Sequence, residues 1–389
     1  MGLFFKSKKK RGKKIAIFDI GSSSIAGAYV LLPKNNEEEI PIVLESVRLE
    51  IKEAVSKELV DQEKEVVITL KKTAQALLQK KVGKLDEVVC VITTPWCHSL
   101  TKKISVSNRK EISITKKMLD DLVTKELQSI TKTLDNEHDG SKEIVEKLVT
   151  EILIDDVPTD NPIGKDGQFL DLSLSYSYTN KNLIDKANDA LLDVFYSTPI
   201  SFSAFSILTY LMIRDYYPGQ ESHLILDISG ETTDLSVINN GMFSQKYSFP
   251  FGKKTLFKHL ALSLKIEERD AYELFKLYYQ NNLSLTHREK LKKYFEIVEK
   301  FWSEELKHCL DTIPKYYKLP NTIFLTIDND MRNWFFEVFK KTELAQNITL
   351  GKKFNIIILD ESEMVDKCDL REGCHDPFIM IEAIALSRK

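Results

Sequence analysis

Two short segments of the chain combine an aspartate with glycine and small hydroxyl residues, a combination suited to binding phosphate. Residues 19–24 read Asp-Ile-Gly-Ser-Ser-Ser, and residues 227–234 read Asp-Ile-Ser-Gly-Glu-Thr-Thr-Asp. Exposed backbone N–H groups and hydroxyls in such turns bind phosphoryl oxygens. Because a carboxylate does not face bare phosphate favourably, Asp19 and Asp227 are expected to bind Mg²⁺, directly or through its waters. The sequence therefore predicts a magnesium-assisted phosphate site built from two separate segments.

Each segment lies at the tip of a predicted β-hairpin. An apolar strand at 15–18 precedes the first tip and a second strand follows at 25–32, while the later hairpin has strands at 223–226 and 235–238. Either tip alone is also an ordinary tight turn. Two such hairpins, about 200 residues apart and each opening its own half of the chain, favour a single site shared by two similar lobes.

Both tips resemble the phosphate motifs of the actin-like ATPase superfamily. Residues 227–234 are similar to its second motif, which usually reads Asp-x-Gly-Gly-x-Thr-Thr-Asp, and residues 19–24 are similar to its first. Two further stretches resemble the FtsA/PilM branch of the superfamily. One is the Asn-Pro-x-Gly-x-x-Gly turn at 161–167, and the other is the lysine-rich opening before the first strand. The resemblance covers nearly the whole chain.

The resemblance implies an α/β actin-like ATPase fold of two duplicated RNase H-like lobes with an inserted α+β (SHS2-like) subdomain. The expected parts are an N-terminal tail at 1–14, the first lobe at 15–85, the inserted subdomain at 86–198, a return to the first lobe at 199–222, the second lobe at 223–353 with its helical part at about 255–318, and a closing segment of the first lobe at 354–389.

The resemblance also implies ATP and Mg²⁺ as cofactors. The residues expected to bind the nucleotide are Asp19, Gly21, Ser22, Ser23, Ser24, Asp227, Ser229, Gly230, Glu231, Thr232, Thr233, Glu273, Lys276, Asp328 and Asn329. Asp19 and Asp227 are the expected metal ligands, and Asp227 and Asp234 are the candidate catalytic residues. Glu273 and Lys276 match a Glu-x-x-Lys pair that contacts ribose and base, although a Glu and a Lys three residues apart also pair on any solvated helix.

Three positions depart from the family pattern. Ser229 stands where the second phosphate motif has its first glycine, Gly252-Lys253 stands where a glycine pair is common, and Asp328-Asn329 replaces a Gly-Gly pair. Without the Gly-Gly pair at 328–329, a close approach to a purine is sterically harder, and each of the three departures weakens the prediction of nucleotide binding. The sequence predicts a weak ATPase at most.

Composition restricts the classes of partner and compartment. The chain has 389 residues, 43% hydrophobic and 29% charged, with a formal net charge of -3. This balance predicts several soluble lobes and no general attraction to nucleic acid. Five scattered cysteines, an odd number, are typical of a reducing cytoplasm rather than of a disulfide framework.

The N-terminal tail is a candidate membrane contact. Leu3, Phe4 and Phe5 precede a run of lysines and arginine that ends at Lys14. The apolar triplet would insert among lipid headgroups while the basic residues face anionic phosphates. The alternative is a solvated tail. The first interpretation predicts a cytoplasmic protein held at the inner face of the membrane.

These features lead to one main hypothesis of function and two alternatives. The main hypothesis is a scaffold in which ATP closes the lobes, and the closed state polymerises or binds membrane-associated partners in cell division or type IV pilus biogenesis. The alternatives are a pseudo-ATPase that serves only protein interaction, and a small-molecule kinase of the same superfamily. A kinase needs an aspartate aimed at a substrate hydroxyl, and the sequence offers no clear candidate.

Overall fold

The fold consists of two lobes and an inserted subdomain, each with its own β-sheet. A computed structural model describes residues 12–34, 39–52, 59–137, 141–313, 319–341 and 354–389. The predicted membrane contact through Leu3, Phe4 and Phe5 lies outside these residues. In the part that the structure describes, no helix combines the length and the apolar character needed to cross a bilayer.

The first lobe is a six-stranded mixed sheet in the order β15-β3-β2-β1-β4-β9. Its strands are β1 (Lys13–Ile20), β2 (Ser24–Leu32), β3 (Ile42–Glu50), β4 (Glu87–Ile92), β9 (Ile200–Ala204) and β15 (Asp369–Leu370). The strands β1, β2 and β3 form an antiparallel meander, and β4 pairs with the free edge of β1 in parallel. Six of the eight residues of β1 are buried, because this strand is the centre of a sheet covered on both faces.

Four long helices cover this sheet. They are α1 (Leu59–Leu78), α3 (Lys181–Phe195), α4 (Phe205–Tyr216) and α10 (Pro377–Arg388), and a short helix α9 (Glu361–Met364) precedes the last of them. Helix α1 packs against α3, and α4 packs against α10. The aspartate Asp376 begins α10, because its side chain accepts hydrogen bonds from the N–H groups of Phe378 and Ile379.

The second lobe repeats the central arrangement of the first. Its sheet has the order β12-β11-β10-β13-β14, with strands β10 (His223–Ile228), β11 (Thr233–Asn239), β12 (Met242–Phe249), β13 (Thr322–Ile327) and β14 (Asn355–Ile358). An antiparallel meander again comes first, and β13 pairs with β10 in parallel as β4 does with β1. The predicted duplication of the hairpin units is therefore present in the fold.

Helices on the second lobe enclose an aromatic core. They are α5 (Lys253–Leu264), α6 (Glu268–Tyr279), α7 (Leu285–Asp311) and α8 (Arg332–Lys341), the last preceded by a short 3-10 turn at Asn329–Met331. The rings of Trp302 and Trp334 meet edge to face at 5.3 Å, and Phe275 is fully buried in the same core. Large rings of this kind supply much of the apolar area that a helical layer buries.

The inserted subdomain is a four-stranded antiparallel sheet with one helix. Its strands are β5 (Cys97–Ser113), β6 (Lys142–Ile154), β7 (Val157–Pro158) and β8 (Asp166–Asn180), in the order β5-β8-β6-β7, and its helix is α2 (Lys116–Glu137). A separate small apolar core lies beneath it.

Three of the predicted borders differ from the strand pairings. Lys13 and Lys14, predicted in the tail, belong to β1. The strand β4, predicted in the inserted subdomain, belongs to the sheet of the first lobe. The strand β14, predicted in the closing segment of the first lobe, pairs with β13 in the second lobe. The physical reason for the last two is the same, since a buried parallel strand satisfies its backbone groups only against a neighbouring strand edge.

Candidate phosphate cleft between the lobes

The two hairpin tips face each other across the boundary between the lobes and touch. The backbone N–H of Glu231 donates a hydrogen bond of 3.0 Å to the hydroxyl of Ser22. A Cβ atom on Gly230 would lie 2.4 Å from the Cβ of Ser23, a separation that real side chains do not reach. The structure thus brings the two predicted segments together, and only a glycine at 230 permits such a close approach.

Within each tip the backbone closes in the same way. The N–H of Gly21 donates to the carbonyl of Ser24 at 3.1 Å, and the N–H of Ser229 donates to the carbonyl of Thr232 at 3.0 Å. The hydroxyl of Ser229, which stands where the family has glycine, donates to that same Thr232 carbonyl at 3.0 Å. The extra side chain therefore stabilises its own turn.

Asp19 is paired with an arginine that the sequence analysis missed. Arg48, on the third strand of the meander, donates to Asp19 at 2.8 Å, to Asp376 at 2.9 Å and to the hydroxyl of Ser24 at 2.7 Å. Burial raises the pKa of Asp19 to about 6 even though the charge of Arg48 lowers it. Arg48 thus connects the first hairpin tip to the beginning of the last helix.

A second acid lies close to this pair. Glu382 on α10 is fully buried, and neither of its carboxyl oxygens has a hydrogen-bond partner among the described residues. Burial raises its pKa well above the usual range, and the charges of Asp19 and Asp376 raise it further. Its surroundings therefore favour the neutral form of Glu382.

The two candidate catalytic aspartates also have protein partners. Asp227 accepts a hydrogen bond of 2.6 Å from the hydroxyl of Thr326. Asp234 forms an ion pair of 2.9 Å with Lys246, and both side chains are only 8% exposed. The ammonium group of Lys246 also donates to the hydroxyl of Thr94 in the first lobe at 2.7 Å. Burial raises the pKa of Asp227 to about 7, and the nearby charge of Asp234 contributes to the rise.

Little space remains between the tips. The cavity there is about 40 Å³, and one water needs about 10–15 Å³ of such space. From the first predicted segment, its lining includes Asp19 and residues 21–24. The other predicted residues that line it are Asp227, Ser229, Gly230 and Asp328, and Arg48 lies beside them. The remaining predicted residues Glu231, Thr232, Thr233, Asp234, Glu273, Lys276 and Asn329 do not line it. The hydroxyl of Thr233, for example, is fully buried and donates to the carbonyl of Phe251.

The adenosine side of the predicted site is occupied by a network of charged and aromatic side chains. Lys253 donates to Asp328 at 2.9 Å and to Asp330 at 2.8 Å, and the hydroxyl of Tyr272 donates to Asp330 at 2.7 Å. Glu273 and Lys276 pair with each other at 3.5 Å. Asp328 therefore has a structural partner, and the surface ion pair foreseen as the alternative for Glu273 and Lys276 is present.

Both predicted Mg²⁺ ligands are held by protein groups in this arrangement. Arg48 occupies the position beside Asp19 that a cation would take, while the other predicted ligand, Asp227, accepts a hydrogen bond from Thr326. Across the described ranges, no group of three or more acidic, histidine or cysteine side chains converges as metal ligands. Because Arg48 already neutralises Asp19, a metal ion bound to Asp19 would have to displace it.

Comparison with known proteins identifies the fold. No family model and no curated protein matches the sequence. The chain is similar to a solved chain of the PilM-PilN type IV pilus biogenesis complex, with 14% identity over 95% of this chain and 96% of that chain and a TM-score of 0.61. The chain is also similar to the ethanolamine utilization protein EutJ from Carboxydothermus hydrogenoformans, with 14% identity over 97% of this chain and 91% of that chain and a TM-score of 0.47.

These findings confirm the predicted fold class. The chain has the two-lobe actin-like ATPase fold. Over nearly its full length, this fold is similar to that of the chain from the PilM-PilN complex.

Proposed function

We propose that this protein is an actin-like scaffold that assembles with membrane-associated protein partners in type IV pilus biogenesis. The observation that carries the proposal is the match to a PilM-PilN chain over 95% of this chain and 96% of the other. A match of that extent includes the inserted subdomain as well as both lobes. It favours the pilus role over the cell-division role that the same sequence motifs left open.

The geometry of the cleft supports the pseudo-ATPase form of this scaffold. Each of the aspartates Asp19, Asp227 and Asp234 has a protein partner, and the space between the tips is about 40 Å³. Nucleotide sites are usually several hundred Å³ in volume. Binding of ATP and Mg²⁺ remains a prediction from the family resemblance, and it requires the lobes to separate.

The kinase alternative has less support. A kinase needs a carboxylate within hydrogen-bond reach of a substrate hydroxyl. Asp227 is 8% exposed and Asp234 is 6% exposed, and each already contacts a neighbouring protein group. Neither is presented to a substrate in the closed arrangement.

Deletion of the gene in its host tests the proposed role. Electron microscopy should show cells that lack surface pili but have normal length, and a wild-type copy of the gene should restore the pili. Normal pili on elongated cells would contradict the pilus role and support a role in cell division. Normal pili on cells of normal length would contradict the scaffold role in either process.

A further inference from the structure

Hydrogen bonds join the two lobes directly across their boundary. Ser22 accepts from the N–H of Glu231, and the ammonium group of Lys246 donates to the hydroxyl of Thr94. The hydroxyl of Tyr210 on α4 donates to the carbonyl of Gly241 at 2.6 Å. These three bonds, here called the interlobe contacts, join elements of the first lobe to the β10-β11-β12 meander of the second.

The inserted subdomain strengthens the same boundary. The hydroxyl of Thr101 on β5 donates to the carbonyl of Phe243 on β12 at 2.7 Å. The hydroxyl of Ser173 on β8 contacts the sulfur of Met242 at 3.8 Å. The strand β12 is therefore bound on one side by its own sheet and on another by the subdomain inserted in the first lobe.

The charges within the cleft are paired by the protein itself. Lys246 is 8% exposed and holds both Asp234 of its own lobe and Thr94 of the other. Arg48 neutralises Asp19 in the same way. The cavity lining contains three aspartates and one arginine, so its charge does not favour an additional anion.

We propose that closure of the two lobes is built into this protein, with Lys246 and the touching hairpin tips in the roles that a nucleotide and a divalent metal would otherwise have. The inference goes beyond the proposed function, because it concerns the conformation of the chain and not the assembly in which it acts. Two consequences follow for the closed state. It should form in the presence of a metal chelator and in the absence of nucleotide, and substitutions at the tips should open it.

Small-angle X-ray scattering on the full chain tests the first consequence. The radius of gyration measured in EDTA without nucleotide should equal the value measured with ATP and Mg²⁺. A larger radius in EDTA that falls on addition of ATP and Mg²⁺ would overturn the proposal. Loss of pili in the deletion strain would still support the scaffold role, so the two failures can be distinguished.

Gly230 offers a sharper test of the tip contact. The backbone of Gly230 is not in the left-handed region, so its dihedral angles would allow an alanine. The obstacle to alanine is the lack of space around its Cβ atom. The nearest atoms to its added Cβ are the Cβ of Ser23 at 2.4 Å, the hydroxyl of Ser23 at 2.5 Å and the hydroxyl of Ser22 at 2.9 Å. Gly230→Ala should therefore separate the tips, and adding Ser23→Gly should remove the two shortest of these contacts.

Hydrogen–deuterium exchange at the tip peptides measures this effect. Gly230→Ala should speed exchange at 228–233 about tenfold, the change expected when one buried hydrogen bond opens. The double variant Ser23→Gly/Gly230→Ala should return most of the way to the wild-type rate, which separates tip opening from general unfolding. Wild-type rates in Gly230→Ala, or no recovery in the double variant, would contradict the tip contact.

The role of Lys246 is tested by removing both charges of its ion pair together. Lys246→Met combined with Asp234→Asn avoids a buried unpaired carboxylate, which would destabilise the fold by itself. Exchange in peptides around Thr94 should again rise about tenfold through the lost charge-assisted hydrogen bond, while the core of α7 should remain protected. Unchanged exchange around Thr94 would show that Lys246 does not hold the lobes together.

Discussion

Asp227 carries a carboxyl group whose ionisation opposes folding. Burial raises its pKa from the ordinary 3.8 to about 7, Asp234 contributes to the rise, and Thr326 and Lys246 act in the opposite direction. Because the carboxyl ionises more easily in the unfolded chain, its stabilising contribution is fully present below its unfolded pKa and is lost as the pH rises through its folded pKa. The free energy of unfolding should therefore fall between about pH 4 and pH 7. At about 1.4 kcal/mol per pH unit, the loss over this range is on the order of 4 kcal/mol.

Asp227→Asn removes this titration while keeping the size of the side chain. The amide oxygen of asparagine can still accept the hydrogen bond from Thr326, so the local contact is preserved. The variant and the wild type should be similar in stability at pH 4, and the variant should be more stable at pH 8 by about 2–4 kcal/mol. The free energy of unfolding is measured by urea titration, with the fluorescence of the buried Trp302 and Trp334 in the same lobe as the signal.

A matched control is Asp193→Asn, because the side chain of Asp193 is 63% exposed and pairs with Lys71 at the surface. Its stability curve should follow that of the wild type within about 0.5 kcal/mol at each pH. The reasoning fails if the curves of Asp227→Asn and the wild type stay parallel from pH 4 to pH 8.

Three further predictions concern other parts of the molecule. Burial lowers the pKa of His223 to about 4, so its contribution to stability should be complete above about pH 6.5 and disappear toward pH 4. His223→Gln should reduce the change in unfolding free energy between these two pH values, measured by urea titration, by about 2–3 kcal/mol. An unchanged pH dependence would contradict this prediction. Glu382→Met should raise the melting temperature, because it replaces a fully buried carboxyl that lacks a partner in the described structure with an apolar side chain of similar length; a lower melting temperature would reveal a stabilising role for the acid. Deleting residues 2–11, which leaves β1 intact, should abolish sedimentation with anionic vesicles, and undiminished binding would assign any lipid contact elsewhere.

The hairpins were predictable because their signals are local. An apolar strand, an aspartate and a small-residue tip occur within about ten residues in each lobe, and the same pattern occurs twice. The resulting prediction of a two-lobe actin-like fold is confirmed. The approach of Ser22 to Glu231 also follows from that fold, because it sets the two tips opposite each other.

The cations of the cleft were not predictable in this way. Arg48 and Lys246 each lie on the third strand of a meander, and a register shift interrupts the pairing of that strand with its neighbour in both lobes. A one-residue shift moves a side chain to the other face of a sheet. In the sequence alone, each residue is therefore only one basic residue in a mixed strand, and its proximity to Asp19 or Asp234 depends on the folded pairing.

The inserted subdomain contains a strand that the sequence pattern does not predict at its full length. The strand β5 extends over Cys97–Ser113. Most of its residues are exposed or half-buried and polar, so the apolar alternation that reveals a strand is weak along its length. Pairing with β8 along nearly its whole length supplies the order that the sequence pattern lacks.

The central claim is that the cleft is closed by protein groups without nucleotide or metal. Isothermal titration calorimetry with ATP tests it most directly, performed once with Mg²⁺ and once with EDTA, on the wild type and on Asp227→Ala. The account predicts the same weak or undetectable heat in both buffers and no difference between the two proteins. Tight binding that requires Mg²⁺ and is lost in Asp227→Ala would contradict it.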